Sequence, residues 1–208
     1  MNSKMKLFCR SVDKNFGTHR IFRDINFEIQ SGNSIAITGS NGSGKTTLIR
    51  ILCGLIRANS GQIEYQLDDH IIPEEEIYHH IGLVGPYLEL YEELSAYENM
   101  KFFAKMKRIK DFDQIIYSLL KRVRLEGREH DPVKNYSSGM RQRLKYVFAL
   151  LNQPQVLFLD EPTSNLDSEG VETVYQIMEE QKKDKILVIA TNDAADLKYG
   201  DRQIAISK

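Results

Sequence analysis

Long apolar runs are missing from this 208-residue chain. No window approaches 18 consecutive apolar residues, so the sequence predicts no membrane span. The opening residues, MNSKMKLFCRSVDK, have no apolar core of the secretory-signal type. Any role at a membrane must then come through a partner. Cysteine is scarce: Cys9 and Cys53 lie far apart and fit no metal-ligand spacing, which predicts two buried, reduced thiols and agrees with a reducing compartment. An excess of either charge is also lacking. Lys and Arg total 28 against 29 Asp and Glu, a formal net of -1, which argues against a general electrostatic grip on nucleic acid or anionic lipid. No internal repeat, low-complexity tract or linker interrupts the chain. Its length suits one domain with room for an inserted subdomain.

What is present is a strand and helix pattern. KLFCRSV (6–12) and IFRDINFEI (21–29) alternate and predict strands. SIAIT (34–38) is a short apolar strand followed by a glycine-rich loop and a helix over about 45–55. QIEYQL and IGLV predict two more strands. Residues 95–151 read as helical, with no strand among them. VLFLD (156–160) is wholly apolar up to its aspartate, as expected in a parallel sheet covered on both faces. A helix over about 168–181 leads into ILVIAT (186–191), and RQIAIS (202–207) ends the pattern. Strands on both sides of a helical stretch predict an α/β core interrupted by a helical arm.

The loop GSNGSGKTT fits G-x-x-x-x-G-K-[ST] in the required place between a strand and a helix. Gly39, Gly42 and Gly44 let the backbone curl so that successive N–H groups point inward. Ser40, Asn41, Ser43 and Thr47 complete the candidate phosphate cradle. The helix beginning near Lys45 adds its positive end. Lys45 can reach β- and γ-phosphates, and the Thr46 hydroxyl can ligate Mg²⁺. VLFLDEPTSNLD (156–167) suits the other half of such a site. The strand delivers Asp160 to the edge where open α/β sheets bind ligands. Asp160 can hold Mg²⁺ through water, and Glu161 can activate an attacking water.

With YSSGMRQRLKYVFALLNQP (136–154), these motifs resemble the nucleotide-binding domain of ABC transporters over essentially the whole chain. The resemblance implies a P-loop NTPase core with a mostly parallel sheet, an antiparallel β subdomain and an inserted α-helical subdomain at approximately 86–151, all in one domain (1–208). The family signature LSGGQ falls on Tyr136 to Met140, keeping Ser137 and Gly139 but changing the first, third and fifth positions. In the family this stretch, here with Ser138 at its centre, touches ATP bound to the partner chain, so a head-to-tail dimer is implied. Met140, Leu144, Val147, Phe148 and Leu151 predict one apolar face on the following helix. KNFG (14–17) is similar to the adenine-stacking loop, with Phe16 as the stacking residue. SNLD (164–167) is similar to the D-loop, with Asp167 near the dimer contact. The compact size is similar to that of the haem-exporter-like ATPase subunit of cytochrome c maturation, though many small importers and exporters share it.

Two positions depart from the family. The Q-loop glutamine falls on Pro86, which offers no side-chain ligand, and the switch histidine falls on Asn192 at the end of ILVIAT. A metal site at His70, His79 and His80 with Glu74, Glu75 and Glu76 lacks any supporting spacing, and a solvated face is the better expectation. The run Lys101, Lys105, Lys107, Arg108 and Lys110 is also expected to be a solvated face, with a membrane partner or lipid as the alternative. The sequence thus predicts a cytoplasmic ATPase that uses ATP and Mg²⁺ and is peripheral to the cell membrane through a separate transmembrane permease subunit. Catalysis is expected from Lys45, Glu161 and Asn192. Two alternatives stand beside it: a subunit that binds ATP but hydrolyses it slowly, and a soluble ABC ATPase outside transport. Cargo, direction, ATP against GTP, and homodimer against heterodimer are not readable from the sequence.

Overall fold

The structure, a computed structural model, describes residues 4–206. In chain order the elements are β1 (Met5–Phe16), β2 (His19–Gln30), β3 (Ser34–Thr38), α1 (Lys45–Leu52), β4 (Ser60–Leu67), β5 (His70–Ile71) and β6 (Ile81–Val84). Then come α2 (Ala96–Met106), α3 (Phe112–Arg122), α4 (Ser138–Leu150), β7 (Val156–Asp160), α5 (Ser168–Asp184), β8 (Ile186–Ala190), α6 (Ala194–Leu197) and β9 (Arg202–Ala205). They form two sheets. One is antiparallel, in the order β2-β1-β4-β5; the other runs β6-β7-β8-β3-β9 and all its neighbouring pairs are parallel. Every residue of β7 and β8 is buried, as their apolar runs require between covered faces, and Asp160 at the end of β7 is buried with them.

Side chains alternate across the parallel sheet and divide the core into two. Val156, Phe158, Ile186 and Val188 face α1, whose Leu48, Ile49 and Leu52 also meet Leu7, Phe22 and Tyr65 of the antiparallel sheet. Leu157, Leu159, Leu187 and Ile189 face the opposite way, against α2 to α5. The helices α2, α3 and α4 therefore enter between two neighbouring strands, β6 and β7. Well-formed caps define their starts. Ser95 and Glu98 make a reciprocal capping box on α2, and Ser137 Oγ accepts from Met140 N at the start of α4.

The structure departs from the sequence expectations in extent more than in kind. β1 continues four residues beyond Val12, because a register shift between Cys9 and Val12, with Ser11 at φ 48°, breaks the alternation that marks a strand. β2 begins at His19, two residues early. α1 stops at Leu52 rather than near 55, where Gly54 turns to φ 71° and Leu55 N bonds back to Arg50 O. β9 ends at Ala205, and Ser207 of the expected strand lies outside the described residues. Most different is α4. Leu144, Val147 and Leu151 are buried as expected, with Met140 and Phe148 half-buried, but Gln142, Tyr146, Ala149 and Leu150 are buried too. The helix is packed on more than one face, because the sheet lies on one side of it and the other arm helices on another.

Candidate functional site

The P-loop leaves β3 and enters α1 through glycines whose geometry other residues would strain. Gly39, Gly42 and Gly44 have φ of 149°, 76° and 111°. A Cβ on Gly39 would stand 2.6 Å from Ile206 O and Ser43 Oγ, and one on Gly44 would strike the side chain of Ile21. The curl closes with Ser43 N donating to Ser40 O at 3.0 Å. Lys45 is only 6% exposed, and its Nζ donates to Gly39 O at 2.9 Å and Ser40 O at 3.4 Å. Its ammonium is thus already inside the loop. A cavity of about 360 Å³ opens here, lined by Ile21, Asn41, Gly42, Gly44, Lys45, Thr46, Thr47 and Glu161. Ser40 is exposed beside this wall, and the buried Ser43 hydroxyl has no hydrogen-bond partner.

Asp160 ends β7 beside this loop. Both carboxylate oxygens are buried and neither has a hydrogen-bond partner. Burial raises the carboxyl above its usual range, against the pull of the neighbouring Thr46 hydroxyl and of the Lys45 and Arg50 charges. An orphaned carboxylate next to a hydroxyl is a donor set that fits a hard divalent cation such as Mg²⁺. Glu161 follows at φ 51°, a left-handed conformation that costs a side-chain-bearing residue roughly 1–2 kcal/mol. Its N–H is held by Ala190 O at 2.8 Å, so the turn points its side chain into the P-loop cavity. Burial first, then Asp160, Asp196 and Asp193, raise its carboxyl, while Lys45 lowers it.

β8 lies between β7 and β3, which puts its C-terminal end between Asp160 and the P-loop. Asn192, at this end, donates from Nδ2 to Asn41 Oδ1 at 2.7 Å. The adjoining loops are tied by Asp196, which is 1% exposed and accepts from the hydroxyls of Thr163, Thr191 and Tyr175 at 3.1–3.2 Å. Sequence reasoning missed Asp196, since its three donors come from three separate segments. It also passed over Tyr87 and Arg50, whose guanidinium lies 3.9 Å from the Tyr87 ring centroid.

The remaining candidates are not brought into the P-loop cavity. Pro86 is exposed and lines a second cavity, of about 490 Å³, together with Ser138, Arg141, Lys145 and Asn165. Ser137 and Ser138 are exposed at the start of α4, and Gly139 comes close to Asn165 O of the neighbouring loop. Asp167 caps α5, its carboxylate accepting from Gly170 N at 2.8 Å. Phe16 is 54% exposed at the β1–β2 turn, with Lys14 Nζ 4.7 Å from its ring centroid, so it is no core aromatic. Among the described residues no three His, Cys, Asp or Glu side chains converge on a metal position. The basic run is not a uniform solvated face: Lys107 packs over Phe148, and burial lowers its ammonium to about 8.

The sequence profile of the ABC transporter family matches residues 22–164. The uncharacterized ABC transporter ATP-binding protein YdbJ of Bacillus subtilis (strain 168) is 40% identical over 165 residues, 79% of this chain and 53% of YdbJ, so the chain spans about half the length of that relative. The cytochrome c biogenesis ATP-binding export protein CcmA of Mannheimia succiniciproducens is 32% identical over 187 residues, 90% of this chain and 85% of CcmA. Among solved structures, the dimeric bacterial ABC transporter cassette MJ0796 superposes with a TM-score of 0.84 at 25% identity, covering 96% of this chain and 94% of the cassette. The same cassette in a post-hydrolysis dimer bound to ADP and Pi gives a TM-score of 0.83 at 26% identity, covering 97% and 94%. No helix among the described residues is long and apolar enough to cross a membrane.

Proposed function

The chain belongs to the ABC transporter family, and from that premise we propose that it is the ATP-binding and ATP-hydrolysing subunit of a transporter. It pairs head to tail with a second ABC subunit and drives a separate transmembrane permease from the cytoplasmic side. The observation that carries this reading is the convergence of a buried Lys45, a curled P-loop and the unpartnered Asp160 carboxylate at adjoining strand ends. The exposed signature residues Ser137 and Ser138, lying away from the chain's own P-loop cavity, are free to complete a partner's site.

The P-loop N–H groups and the positive end of α1 bind the phosphates. Lys45 exchanges its loop carbonyls for phosphate oxygens and offsets the charge that grows on them. Thr46 and Asp160 would hold Mg²⁺, which when bound would supply further neutralisation of the phosphate charge. Glu161 orients the attacking water and receives its proton; a carboxyl raised by burial is a better base than an exposed one. Phe16, exposed on its turn, offers a face to the purine. Asn192 offers Nδ2 to a phosphate oxygen.

Calorimetry on Lys45→Ala tests the binding half. Charge-assisted bonds are worth about 1.5–3 kcal/mol each, so ATP affinity should fall roughly a hundredfold. Equal affinity of mutant and wild type would overturn the P-loop assignment. Light scattering on Glu161→Gln with MgATP tests the rest. The expected result is a stable dimer with little phosphate release; a monomer at saturating MgATP would remove the homodimer, and wild-type turnover would remove Glu161 from its role.

A further inference from the structure

The loop after β6 holds a tyrosine in a place that the proposed reaction has not used. Ile81 and Leu83 of β6 pack into the core on the α1 side, so Gly85, two residues further, continues that face. Asp160 continues Val156 and Phe158 on the same face. Val84 pairs with Leu159 in parallel register, which sets Gly85 beside Asp160. Gly85 has no side chain, and the Tyr87 ring folds back into the space one would fill. A Cβ on Gly85 would lie 2.9 Å from Tyr87 Cζ and 3.2 Å from its hydroxyl oxygen.

Two basic residues hold this arrangement. The Arg50 guanidinium of α1 lies 3.9 Å from the Tyr87 ring centroid, one helical turn after Thr46. Lys145 of α4 donates to Gly85 O at 3.2 Å. The Tyr87 hydroxyl is buried without a hydrogen-bond partner, and so are both oxygens of Asp160. A phenylalanine would fill the space without burying an unsatisfied hydroxyl, so packing alone does not account for the oxygen. A phenol is a hydrogen-bond donor at neutral pH.

We propose that Tyr87 is a positioning residue for the metal site, its unpartnered hydroxyl becoming a donor to the Asp160 carboxylate as that carboxylate turns toward the cation. This rests on the reading of Thr46 and Asp160 as Mg²⁺ ligands.

Tyr87→Phe removes the hydroxyl and keeps the ring, and Thr46→Ala serves as the reference for the site itself. Mn²⁺ binding to the full chain, saturated with a non-hydrolysable ATP analogue, is read by electron paramagnetic resonance. Affinity for metal-free ATP is read by calorimetry in chelator. Losing a group that orients a metal ligand costs ten- to a hundredfold in metal affinity. Tyr87→Phe should therefore weaken Mn²⁺ at least tenfold and leave metal-free ATP binding unchanged. Wild-type Mn²⁺ affinity in Tyr87→Phe beside a loss in Thr46→Ala would overturn the proposal and leave the site reading intact. No loss in either variant would overturn both. A loss of metal-free ATP binding in Tyr87→Phe would mark a packing role and also overturn the proposal.

Discussion

Asn99 in the helical arm and Asp160 at the end of β7 are sealed from solvent to nearly the same degree, at 0% and 1% exposure. Their surroundings are opposite. Asn99 accepts from Tyr91 N at 2.8 Å and donates to the carbonyls of Tyr91, Leu94 and Ser95 at 2.9, 3.3 and 2.9 Å. Its amide fastens the loop before α2 to that helix. Neither oxygen of Asp160 has a hydrogen-bond partner of good geometry. Burying a polar group is tolerated when its bonds are made inside the fold, and it is costly when they are left open. The arm thus uses its buried polar side chain to build, while the strand ends keep theirs available for something that arrives. The same contrast separates the capping box of Ser95 and Glu98 from the strained Glu161, whose φ of 51° is kept where its carboxylate lines the P-loop cavity.

The strongest way to break this comparison is to neutralise each member. Asn99→Ala leaves several loop groups without partners and should lower stability by about 3 kcal/mol, roughly 6–12 °C in Tm for a chain of this size. Asp160→Asn should do the reverse, raising Tm by a few degrees without ligand while lowering phosphate release by at least a hundredfold. The pH dependence separates the two further. The Asp160 carboxyl is raised in the fold above the ordinary value of 3.8, so the folded chain holds that proton more tightly than the unfolded one. Its contribution to stability therefore falls as pH rises from that value through the folded one, and stays low above. The Tm gap between Asp160→Asn and wild type should be small near pH 4 and open toward pH 7. A calorimetric scan showing Asp160→Asn as destabilising as Asn99→Ala would end the distinction.

The contiguous part of this site was legible in the sequence because its chemistry is local. Gly39 to Thr47 and Asp160–Glu161 each sit at a strand end, and the alternation and apolarity of β3 and β7 placed those ends. The groups that support the site were not legible. Asp196 gathers hydroxyls from Thr163, Tyr175 and Thr191, and Tyr87 depends on Arg50 and on the empty face of Gly85. No spacing in one segment encodes such convergence. Periodicity also failed where a bulge reset it, in β1, and where a helix was packed on more than one side, in α4. Length, motifs and family resemblance led to an ABC cassette, and the comparisons with YdbJ, CcmA and MJ0796 agree with it.

A second prediction sharpens the open side of the comparison. Asn192 can donate but cannot carry a proton, and Pro86 is exposed in a different cavity from the P-loop. ATP binding rests on the P-loop and should be tight, while basal hydrolysis should be slow. One well-placed transition-state donor is worth about 3 kcal/mol at most, so Asn192→His should raise turnover by roughly tenfold and by no more than about a hundredfold. Pro86→Gln alone should do less, and the double variant more than either. Steady-state phosphate release at saturating MgATP decides it. Wild-type turnover of several per second would refute an impaired site, and slow turnover with no gain in any variant would assign the missing activation to the permease partner proposed above.

The smallest effect concerns what Asn192 does with its amide. Nδ2 is engaged by Asn41 Oδ1 at 2.7 Å, across an exposed contact between the end of β8 and the P-loop. That bond aims the amide at the loop, but it would also compete with the proposed phosphate oxygen for the same donor group. An exposed side-chain hydrogen bond contributes about 0.5–1.5 kcal/mol, so Asn41→Ala should change turnover only about two- to tenfold, with ATP affinity nearly unchanged. The sign is informative. A rise means that Asn41 restrains Asn192, and a fall means that it aims it. In an Asn192→His background the same substitution should have no effect, because the imidazole carries its donor on a different frame. A double-mutant cycle in kcat with a coupling below about 0.3 kcal/mol would show that the contact plays no part in hydrolysis, and Asn192 would then be as open as Asp160.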